Sequence, residues 1–305
     1  MRQKILLLIL LAFAHTFCVI SSEMIVVRGK DIGPGQEIQK GVWRITDSPI
    51  YVNVNVEVPI DESLRIEPGV AVYLESDKEM VVRGELFAVG TAGNRISFSY
   101  RGGGTDRRNW KGIRLLSVTQ PSTISYCTIS NARNAIAIEG SLSNVITHSI
   151  IRYNNAAILV ESSQGNTIAN NEIYENTDWG ISIRNGCQRI LVAGNTIYKI
   201  EGDAIVLGGG EIGRQLFNID IKVRDNSINN NYYAGINASF TEAMEITSNT
   251  IYYNWKSPPP QRGAQARALL PFYYGGNIKL NGTLTSPVKD VLIHNNRIHS
   301  AAQNG

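Results

Sequence analysis

The chain of 305 residues has little charge and only three cysteines. Charged residues make up 18% of it, below the level of about a quarter that is usual in soluble domains, which excludes disorder caused by charge. No apolar run outside the N-terminal region approaches the roughly twenty residues of a membrane-spanning helix, which excludes a multi-span membrane protein. The formal charge of +3 is too small for binding to a phosphate backbone, so no nucleic-acid partner is expected.

Residues 1–22 have the form of a secretory signal peptide. Arg2 and Lys4 precede an apolar run, and small residues follow it at Ser21 and Ser22. An N-terminal membrane anchor is the alternative interpretation. We expect the protein to be secreted or at the cell surface, in an extracellular or periplasmic location, with membrane attachment only through this leader or through a region beyond the C-terminus. Cys127 and Cys187 occupy different positions of the repeat described next, so we expect buried free thiols rather than a disulfide.

Isoleucine recurs at intervals of about 22 residues, and this repeat decides the predicted fold. Three columns of equivalent residues can be aligned through the second half of the chain. The first column is Ile124, Ile146, Ile168, Val192, Val223, Ile246 and Ile293. The second is Ile129, Ile151, Ile173, Ile197, Ile228, Ile251 and Ile298. The third is Ile136, Ile158, Ile181, Ile205, Ile236 and Ile278.

Each repeat unit holds short strands in which apolar residues alternate with polar ones, separated by polar turns. This pattern predicts an all-β fold, a single right-handed parallel β-helix of about ten coils of about 22 residues each, with the isoleucines stacked inside. A polar column between the first two apolar columns predicts a hydrogen-bonded ladder at a tight turn that needs left-handed backbone. Its members are Cys127, Ser149, Asn171, Asn195, Asn226, Asn249 and Asn296.

After the leader, we assign residues 23–60 to N-terminal strands or a cap and residues 61–305 to the β-helix. Two loop insertions interrupt the repeat, near 208–217 and 255–274. The last coil lacks a third strand before Gly305. We therefore expect the end of the rod to self-associate or the chain to be a fragment of a longer protein.

Several short motifs carry a resemblance to known β-helix proteins. They are Leu64-Arg-Ile-Glu-Pro-Gly-Val, Val82-Arg-Gly-Glu-Leu, Ala88-Val-Gly-Thr and Trp110-Lys-Gly-Ile, together with the Asn-x-Ile coils from 168 to 251. These segments resemble the pectate-lyase-like superfamily, including the NosD-like β-helix repeat proteins. The opening coils also resemble the ectodomain of the bark beetle tricellular-junction protein. The resemblance implies the fold, while function depends on sites carried by the coils.

An outward-facing aromatic column follows the second isoleucine column. Tyr174 and Tyr198 lie on adjacent coils, so we expect their rings to stack about 5 Å apart. Aromatic faces beside polar turns suit sugar rings and their hydroxyl groups, although tyrosines also simply favour strands. The predicted substrate-binding residues are Tyr174, Trp179, Tyr198, Tyr232, Tyr233, Tyr252 and Arg262.

Asp178, Glu201 and Asp203 form the best candidate for a catalytic cluster. Neighbouring coils could bring them within about 5–8 Å of one another, as a general acid and base or, through Asp178 and Asp203, as ligands of Ca²⁺. No other cofactor is expected. The segments Asn176-Thr-Asp and Gly202-Asp-Ala-Ile are similar to the polygalacturonase family. That family has paired aspartates, a Gly-His-Gly and an Arg-x-Lys, whereas this chain has Gly202-Asp203 and, on the next coil, Ala234-Gly235-Ile236 without histidine.

The leading functional prediction is a secreted scaffold that binds an extracellular polysaccharide, another glycan or a cell-surface protein. The second hypothesis is a polysaccharide lyase or glycoside hydrolase acting on uronate-type polymers. The third, implied by the bark beetle resemblance, is a piece of an adhesive or cell-junction ectodomain. The missing histidine argues against the hydrolase.

Overall fold

The computed structural model describes residues 29–104, 106–208, 216–254, 277–281 and 288–299. These residues form three parallel β-sheets, and the chain passes from one sheet to the next in a repeating order. Apart from the short 3₁₀ helix Ile45–Asp47, all the regular elements described are strands. The leader at 1–22, Arg262 and most of both predicted insertions lie outside the described residues.

Sheet A has eleven strands and sheet B has nine. Sheet A consists, in spatial order, of β1 (Lys30–Ile32), β3 (Ile50–Val52), β6 (Ala71–Leu74), β9 (Ile96–Tyr100), β12 (Cys127–Ile129), β15 (Ile150–Arg152), β18 (Glu172–Tyr174), β21 (Thr196–Tyr198), β24 (Ser227–Asn229), β27 (Thr250–Tyr252) and β30 (Arg297–Ile298). Sheet B consists of β4 (Val56–Val58), β7 (Glu79–Val82), β10 (Gly112–Leu116), β13 (Asn134–Glu139), β16 (Ala156–Glu161), β19 (Ile181–Arg184), β22 (Ile205–Leu207), β25 (Ile236–Ala238) and β28 (Ile278–Leu280).

Sheet C has ten strands and completes the cross-section. It consists of β2 (Gly41–Trp43), β5 (Ser63–Ile66), β8 (Glu85–Val89), β11 (Thr123–Ser125), β14 (Val145–Thr147), β17 (Thr167–Ala169), β20 (Gln188–Ala193), β23 (Asn218–Arg224), β26 (Thr241–Thr247) and β29 (Val288–His294). The three-sheet pairing already begins at β1 and β2, inside the range 23–60 that the sequence assigns to N-terminal strands.

The isoleucine columns occupy the interior in the predicted register. Ile129 pairs with Ile151, Ile151 with Ile173, and Ile173 with Ile197, all in parallel strands of sheet A. These four side chains have no solvent exposure, and full burial of each stabilises the fold by roughly 1.5–3 kcal/mol. The isoleucine columns are exposed to solvent in the last described coil, where Ile293 is 41% and Ile298 is 49% exposed.

The predicted polar ladder is present at the turn from sheet C to sheet A. The amide of Asn171 donates both its backbone and its side-chain N–H to Oδ1 of Asn195, each at 3.0 Å. Asn195 repeats the pattern with Asn226, and Asn226 with Asn249. The left-handed residue is the one that precedes each ladder position, for example Asn170 with φ 56°. The ladder asparagines themselves are therefore free to connect coils rather than to make the turn.

The turn from sheet A to sheet B carries a second ladder that the sequence analysis missed. Asn154 donates to Asn176, and Asn231 donates to Asn254, through backbone and side chain. Cys127 and Cys187 are buried free thiols, as predicted, and burial raises the pKa of Cys127 to about 12 and that of Cys187 to about 11. Both thiols are therefore protonated at neutral pH.

Candidate functional site

The outer face of sheet B combines buried outward residues with charged pairs. At the start of these strands, one column contains only small residues that belong to or face the core, which are Ala135, Ala157, Gly180, Ala204 and Gly235. The neighbouring outward residues Ala137, Leu159 and Ser182 are only 5%, 4% and 3% exposed although they point away from the core. This part of the sheet is therefore recessed and shielded from solvent.

Strand β19 brings several polar groups to this recessed face. Trp179 precedes the strand, Ser182 lies in it, and Arg184 and Asn185 end it. Trp179 Nε1, Arg184 Nε and Asn185 Oδ1 are shut off from solvent and have no hydrogen-bond partner among the residues that the structure describes. A buried polar atom without a partner costs about 1–3 kcal/mol. The atoms lie at the two ends of β19, with Trp179 before the strand and Arg184 and Asn185 at its close, and at each end a polar ligand or water would restore hydrogen bonds.

Arginine–glutamate pairs connect neighbouring strands of the same face. Arg114 donates through Nε and Nη2 to Oε2 of Glu139, at 3.0 and 2.6 Å. Arg184 Nη2 donates to Glu161 at 3.2 Å, and Asn185 Nδ2 donates to the same carboxylate. A surface pocket of about 200 Å³ lies beside the first pair. Its lining includes Glu79, Lys111, Arg114, Arg133 and Glu139.

Asp203 lies at the turn that precedes strand β22 of sheet B, at the edge that we call the rim. Its side chain contacts residues of the next coil. Its Oδ1 accepts the backbone N–H of Ala234 at 2.7 Å, and its Oδ2 accepts the side-chain amide of Asn237 at 2.8 Å. Burial raises the pKa of Asp203, against the lowering effects of these two hydrogen bonds and of Lys279. Asn237 in turn accepts from Asn281 at 2.6 Å, so both groups of its side-chain amide are engaged.

Glu201 and Asp178 lie at the same turn, but the three predicted carboxylates have different surroundings. Arg107 Nη1 donates to Glu201 at 2.9 Å, and both side chains are about a quarter exposed, at 26% and 28%. Asp178 and Gly202 approach so closely that a Cβ on Gly202 would lie 1.8 Å from the carbonyl oxygen of Asp178. Among the described residues, no group of three or more His, Cys, Asp or Glu side chains is arranged to hold a metal ion. Catalysis and Ca²⁺ binding at these residues stay predictions.

The loop between β9 and β10 forms part of this rim, and the sequence analysis did not single it out. Asn131 Nδ2 donates to the carbonyl oxygens of Gly104 and Asp106. Arg108 Nε donates to Asn155 at 3.0 Å, one coil further on. With the Arg107–Glu201 pair, the loop contacts turns of several successive coils. The path of this loop depends on contacts between residues up to 94 positions apart. No local sequence pattern predicts such contacts.

The predicted aromatic stack is present on sheet A. The rings of Tyr174 and Tyr198 lie 4.9 Å apart with an angle of 6° between them. Arg152 donates to the Tyr174 hydroxyl at 2.9 Å, and the Tyr198 hydroxyl donates to Glu172 at 2.8 Å. Burial first, and then the hydrogen bond to Glu172, raises the pKa of Tyr198. Because the two rings face each other, they offer mainly edges and hydroxyls to a ligand.

The other predicted binding residues lie away from the stack of Tyr174 and Tyr198. Tyr252 is on a later coil of sheet A, and Trp179, Tyr232 and Tyr233 are at turns from sheet A to sheet B. Tyr252 contacts Tyr253 edge-on, with ring centroids 5.3 Å apart. Tyr232 and Tyr233 are half-buried at the turn that follows Asn231. Trp179 is therefore the predicted aromatic residue that the structure places with the polar groups of β19. Whether any of these residues binds a substrate stays a prediction.

A family profile described as the right-handed β-helix region matches residues 92–251. The chain belongs to this family. The match includes every described residue of the predicted site except Tyr252, which directly follows its end, and it confirms the handedness predicted from the repeat. A search of curated proteins returns no match for this β-helix chain.

Solved structures similar to this β-helix chain share its fold at low sequence identity. The Agl-KA catalytic domain has a TM-score of 0.58 and 14% identity, over 78% of this chain and 42% of that one. The Dettilon tailspike protein has a TM-score of 0.48 and 13% identity, over 82% and 56%. The A-module of the Azotobacter vinelandii mannuronan C-5 epimerase AlgE6 has 0.47 and 13%, over 87% and 92%. The chain thus spans about half the length of the first two proteins.

Proposed function

We propose that this β-helix protein binds a glycan on the outer face of sheet B, with β19 at the centre of the site. The observation that carries the proposal is the set of buried, unpartnered polar atoms at Trp179, Arg184 and Asn185. Two are donors and one is an acceptor, which is the mixture that sugar hydroxyl groups satisfy. Native proteins rarely leave such atoms without partners, and a ligand is one of the recognised reasons.

The shape and composition of the face support a sugar ligand. The uncharged outward residues Ala137, Leu159 and Ser182 lie in the middle of the face, and an indole ring at Trp179 offers apolar contact to a sugar ring. A β-helix presents equivalent positions about 4.8 Å apart, so one face can contact several units of a polymer. A cell-surface protein as partner stays a prediction, since no contact on this face favours it.

A binding experiment on the full chain tests the proposal. Glycan arrays identify a bound glycan, and isothermal titration calorimetry then compares Trp179→Ala and Asn185→Ala with Tyr198→Ala, the matched control on sheet A. We expect about a tenfold or greater loss of affinity in the first two variants and a change of less than about twofold in the control. Loss of binding in Tyr198→Ala with none in Trp179→Ala would move the site to sheet A, and absence of any bound glycan would refute the proposal.

A second candidate function is cleavage of the bound glycan with Asp203 as general acid. The raised pKa of Asp203 at the rim of the same face favours this assignment, because a general acid must hold its proton until the reaction. Incubation with polysaccharides, followed by assays for new reducing ends and for unsaturated products, tests it. We expect Asp203→Asn to abolish turnover and to retain binding. Bound glycans that are never cleaved would leave binding as the function.

We also propose that the protein is exported. The basic and apolar pattern of residues 1–22 supports this, and among the described residues no helix has the length and apolarity needed to cross a membrane. Expression of the full gene followed by N-terminal sequencing of the protein in the medium or periplasm tests it. We expect the mature chain to start near residue 23, and retention of an intact leader in the cell would contradict the proposal.

A further inference from the structure

The outer face of sheet B carries charge of both signs in matched amounts. Three arginines each contact a glutamate of a neighbouring strand: Arg83 with Glu57 at 3.2 Å, Arg114 with Glu139 at 2.6 Å and Arg184 with Glu161 at 3.2 Å. Counting each strand of sheet B and the residue directly after it, four acids face four bases. They are Glu57, Glu79, Glu139 and Glu161, with Arg83, Arg114, Arg184 and Lys279.

The pairing determines what kind of ligand the face can accept. A polymer of acidic sugars needs cations that are not already neutralised, because its carboxylates must otherwise compete with Glu57, Glu139 and Glu161 for the same guanidinium groups. Placing a ligand carboxylate beside those glutamates also brings like charges together, which is unfavourable. The face therefore lacks the excess of positive charge that would attract an acidic polymer.

Uncharged hydroxyl groups have no such conflict. A guanidinium has five N–H donors, and each pair uses one or two of them. A hydroxyl can accept from a remaining N–H and donate to a carboxylate oxygen, so it joins the existing pair without displacing either partner. The pocket beside Arg114 is lined by three bases, Lys111, Arg114 and Arg133, and by two acids, Glu79 and Glu139. Asp77 contacts Arg133 at 3.3 Å and supplies a third acid beside the pocket.

We infer that the glycan of sheet B is a neutral one, built of uncharged sugars rather than of uronates. The inference rests on the proposed function, since it names the chemical class of ligand for the same site. It also separates this site from the uronate-type polymers considered in the sequence analysis. The contacts that decide it are the Arg–Glu pairs. One of them, Arg184–Glu161, shares Arg184 with the proposed site, and Asn185 donates to the same carboxylate.

The experiment titrates the full chain with neutral and acidic polysaccharides. The neutral set is a β-1,3-glucan, a β-1,4-glucan, a mannan and a galactan, and the acidic set is polygalacturonate and alginate, each at 50 and 500 mM NaCl. We expect at least one neutral glycan to bind with an affinity that changes less than about twofold with salt, because no net charge is transferred. We expect no binding of the acidic polymers.

Charge variants sharpen the result. The double variant Glu139→Gln and Glu161→Gln releases two guanidinium groups, so it should gain uronate binding that weakens about tenfold at the higher salt. Glu75→Gln is the matched control, because it breaks the Arg101–Glu75 pair, which lies next to sheet A strands, and it should not bind uronates. Far-ultraviolet circular dichroism verifies that each variant folds.

The outcomes separate this inference from the proposed function. Strong, salt-sensitive binding of a uronate polymer to the unaltered chain would overturn the inference and leave glycan binding standing. Failure of the double variant to gain uronate binding would show that the Glu partners do not set the preference, which also overturns it. Failure of every glycan to bind, neutral or acidic, would refute the proposed function itself.

Discussion

Sheet A and sheet B belong to the same coils, yet the side chains on their outer faces have different relations to one another. On sheet A, Tyr174 and Tyr198 stack on each other and their hydroxyls are hydrogen-bonded to neighbours. Along β19 of sheet B, atoms of Trp179, Arg184 and Asn185 are buried and have no partner within the described ranges of the chain. Contacts that are complete within the protein stabilise the rod, whereas incomplete ones carry a cost that binding would recover. This difference is why we propose recognition on sheet B and a stabilising role for the contacts on sheet A.

The largest effect is expected from a substitution in the first polar ladder, which is buried inside the rod. Asn226→Ala removes the acceptor for the backbone and side-chain N–H of Asn195 and leaves the Val192 carbonyl without its donor. With each buried group costing about 1–3 kcal/mol, we expect the free energy of unfolding to fall by about 3–5 kcal/mol. Urea unfolding followed by circular dichroism measures it. Asn229→Ala, an outward change on the next strand, should cost less than about 0.5 kcal/mol, and equal losses in the two variants would contradict the ladder's role.

A change on sheet A should affect stability and not binding. Tyr174→Ala removes the stack with Tyr198 and the acceptor of Arg152, so the free energy of unfolding should fall by about 1–2 kcal/mol. Tyr174→Phe keeps the ring and should lose about 0.5 kcal/mol. Thermal unfolding and glycan titration are measured together. A stable Tyr174→Ala variant that fails to bind glycan would reverse the assignment of the two faces.

The matching change on sheet B should not reduce stability. Trp179→Phe removes an N–H that has no partner, so without ligand the free energy of unfolding should stay constant or rise by up to about 1 kcal/mol, while glycan affinity falls. Trp110→Phe is the control, because the Trp110 N–H donates to the Ser130 carbonyl at 2.8 Å in the core. That variant should lose about 2 kcal/mol. An equal loss in Trp179→Phe would show that its N–H is satisfied in solution.

The smallest effect is a dependence of stability on pH. Burial raises the pKa of Asp203 above its ordinary value of 3.8, so between these two values the folded chain binds this proton more tightly than the unfolded chain does. The contribution of Asp203 to stability is therefore largest below pH 3.8 and decreases as the pH rises through the raised pKa. Tyr198 also has a raised pKa, but its phenol is already protonated at neutral pH, so Tyr198 contributes no change in this window.

Urea unfolding at several values between pH 4 and pH 7 tests this difference. Relative to Asp203→Asn, which cannot titrate, the unaltered chain should become less stable as the pH increases. Tyr198→Phe should show the same pH profile as the unaltered chain. A difference between the unaltered chain and Asp203→Asn that does not vary with pH would contradict the buried state of the Asp203 carboxylate.

Most of the fold could be predicted from the sequence because the second and third columns are isoleucine in every aligned repeat and the first is isoleucine or valine. The isoleucine columns determine the register, since a shift by one residue would turn each of them to the outside. The first polar ladder was visible for the same reason. The second, at Asn154, Asn176, Asn231 and Asn254, was missed, although each of these residues lies five positions after a member of the first polar ladder.

The site was less predictable because its contacts cross the repeat. Glu201 was grouped with Asp203 by proximity in the sequence, whereas Arg107 from a distant loop contacts Glu201 and the next coil contacts Asp203. The positions of the Arg–Glu pairs could have been predicted from the repeat. Glu139, Glu161 and Arg184 each follow an inward residue of the third strand in equal register. That Trp179 Nε1 lacks a partner depends on side-chain packing that no sequence pattern records.

The ladder also makes the coils interchangeable. Each coil presents a side-chain oxygen to the backbone N–H of the preceding coil, as Asn171 does for Ser149 and Ser149 for Cys127. Excising the 22 residues 145–166 would join Asn144 to Thr167 and bring Asn171 to the N–H of Cys127, with the same type of bond. Whole coils can thus be removed or added while the hydrogen bonds between neighbouring coils keep the same type. The outer faces then change in length, and the side chains of each remaining coil are preserved.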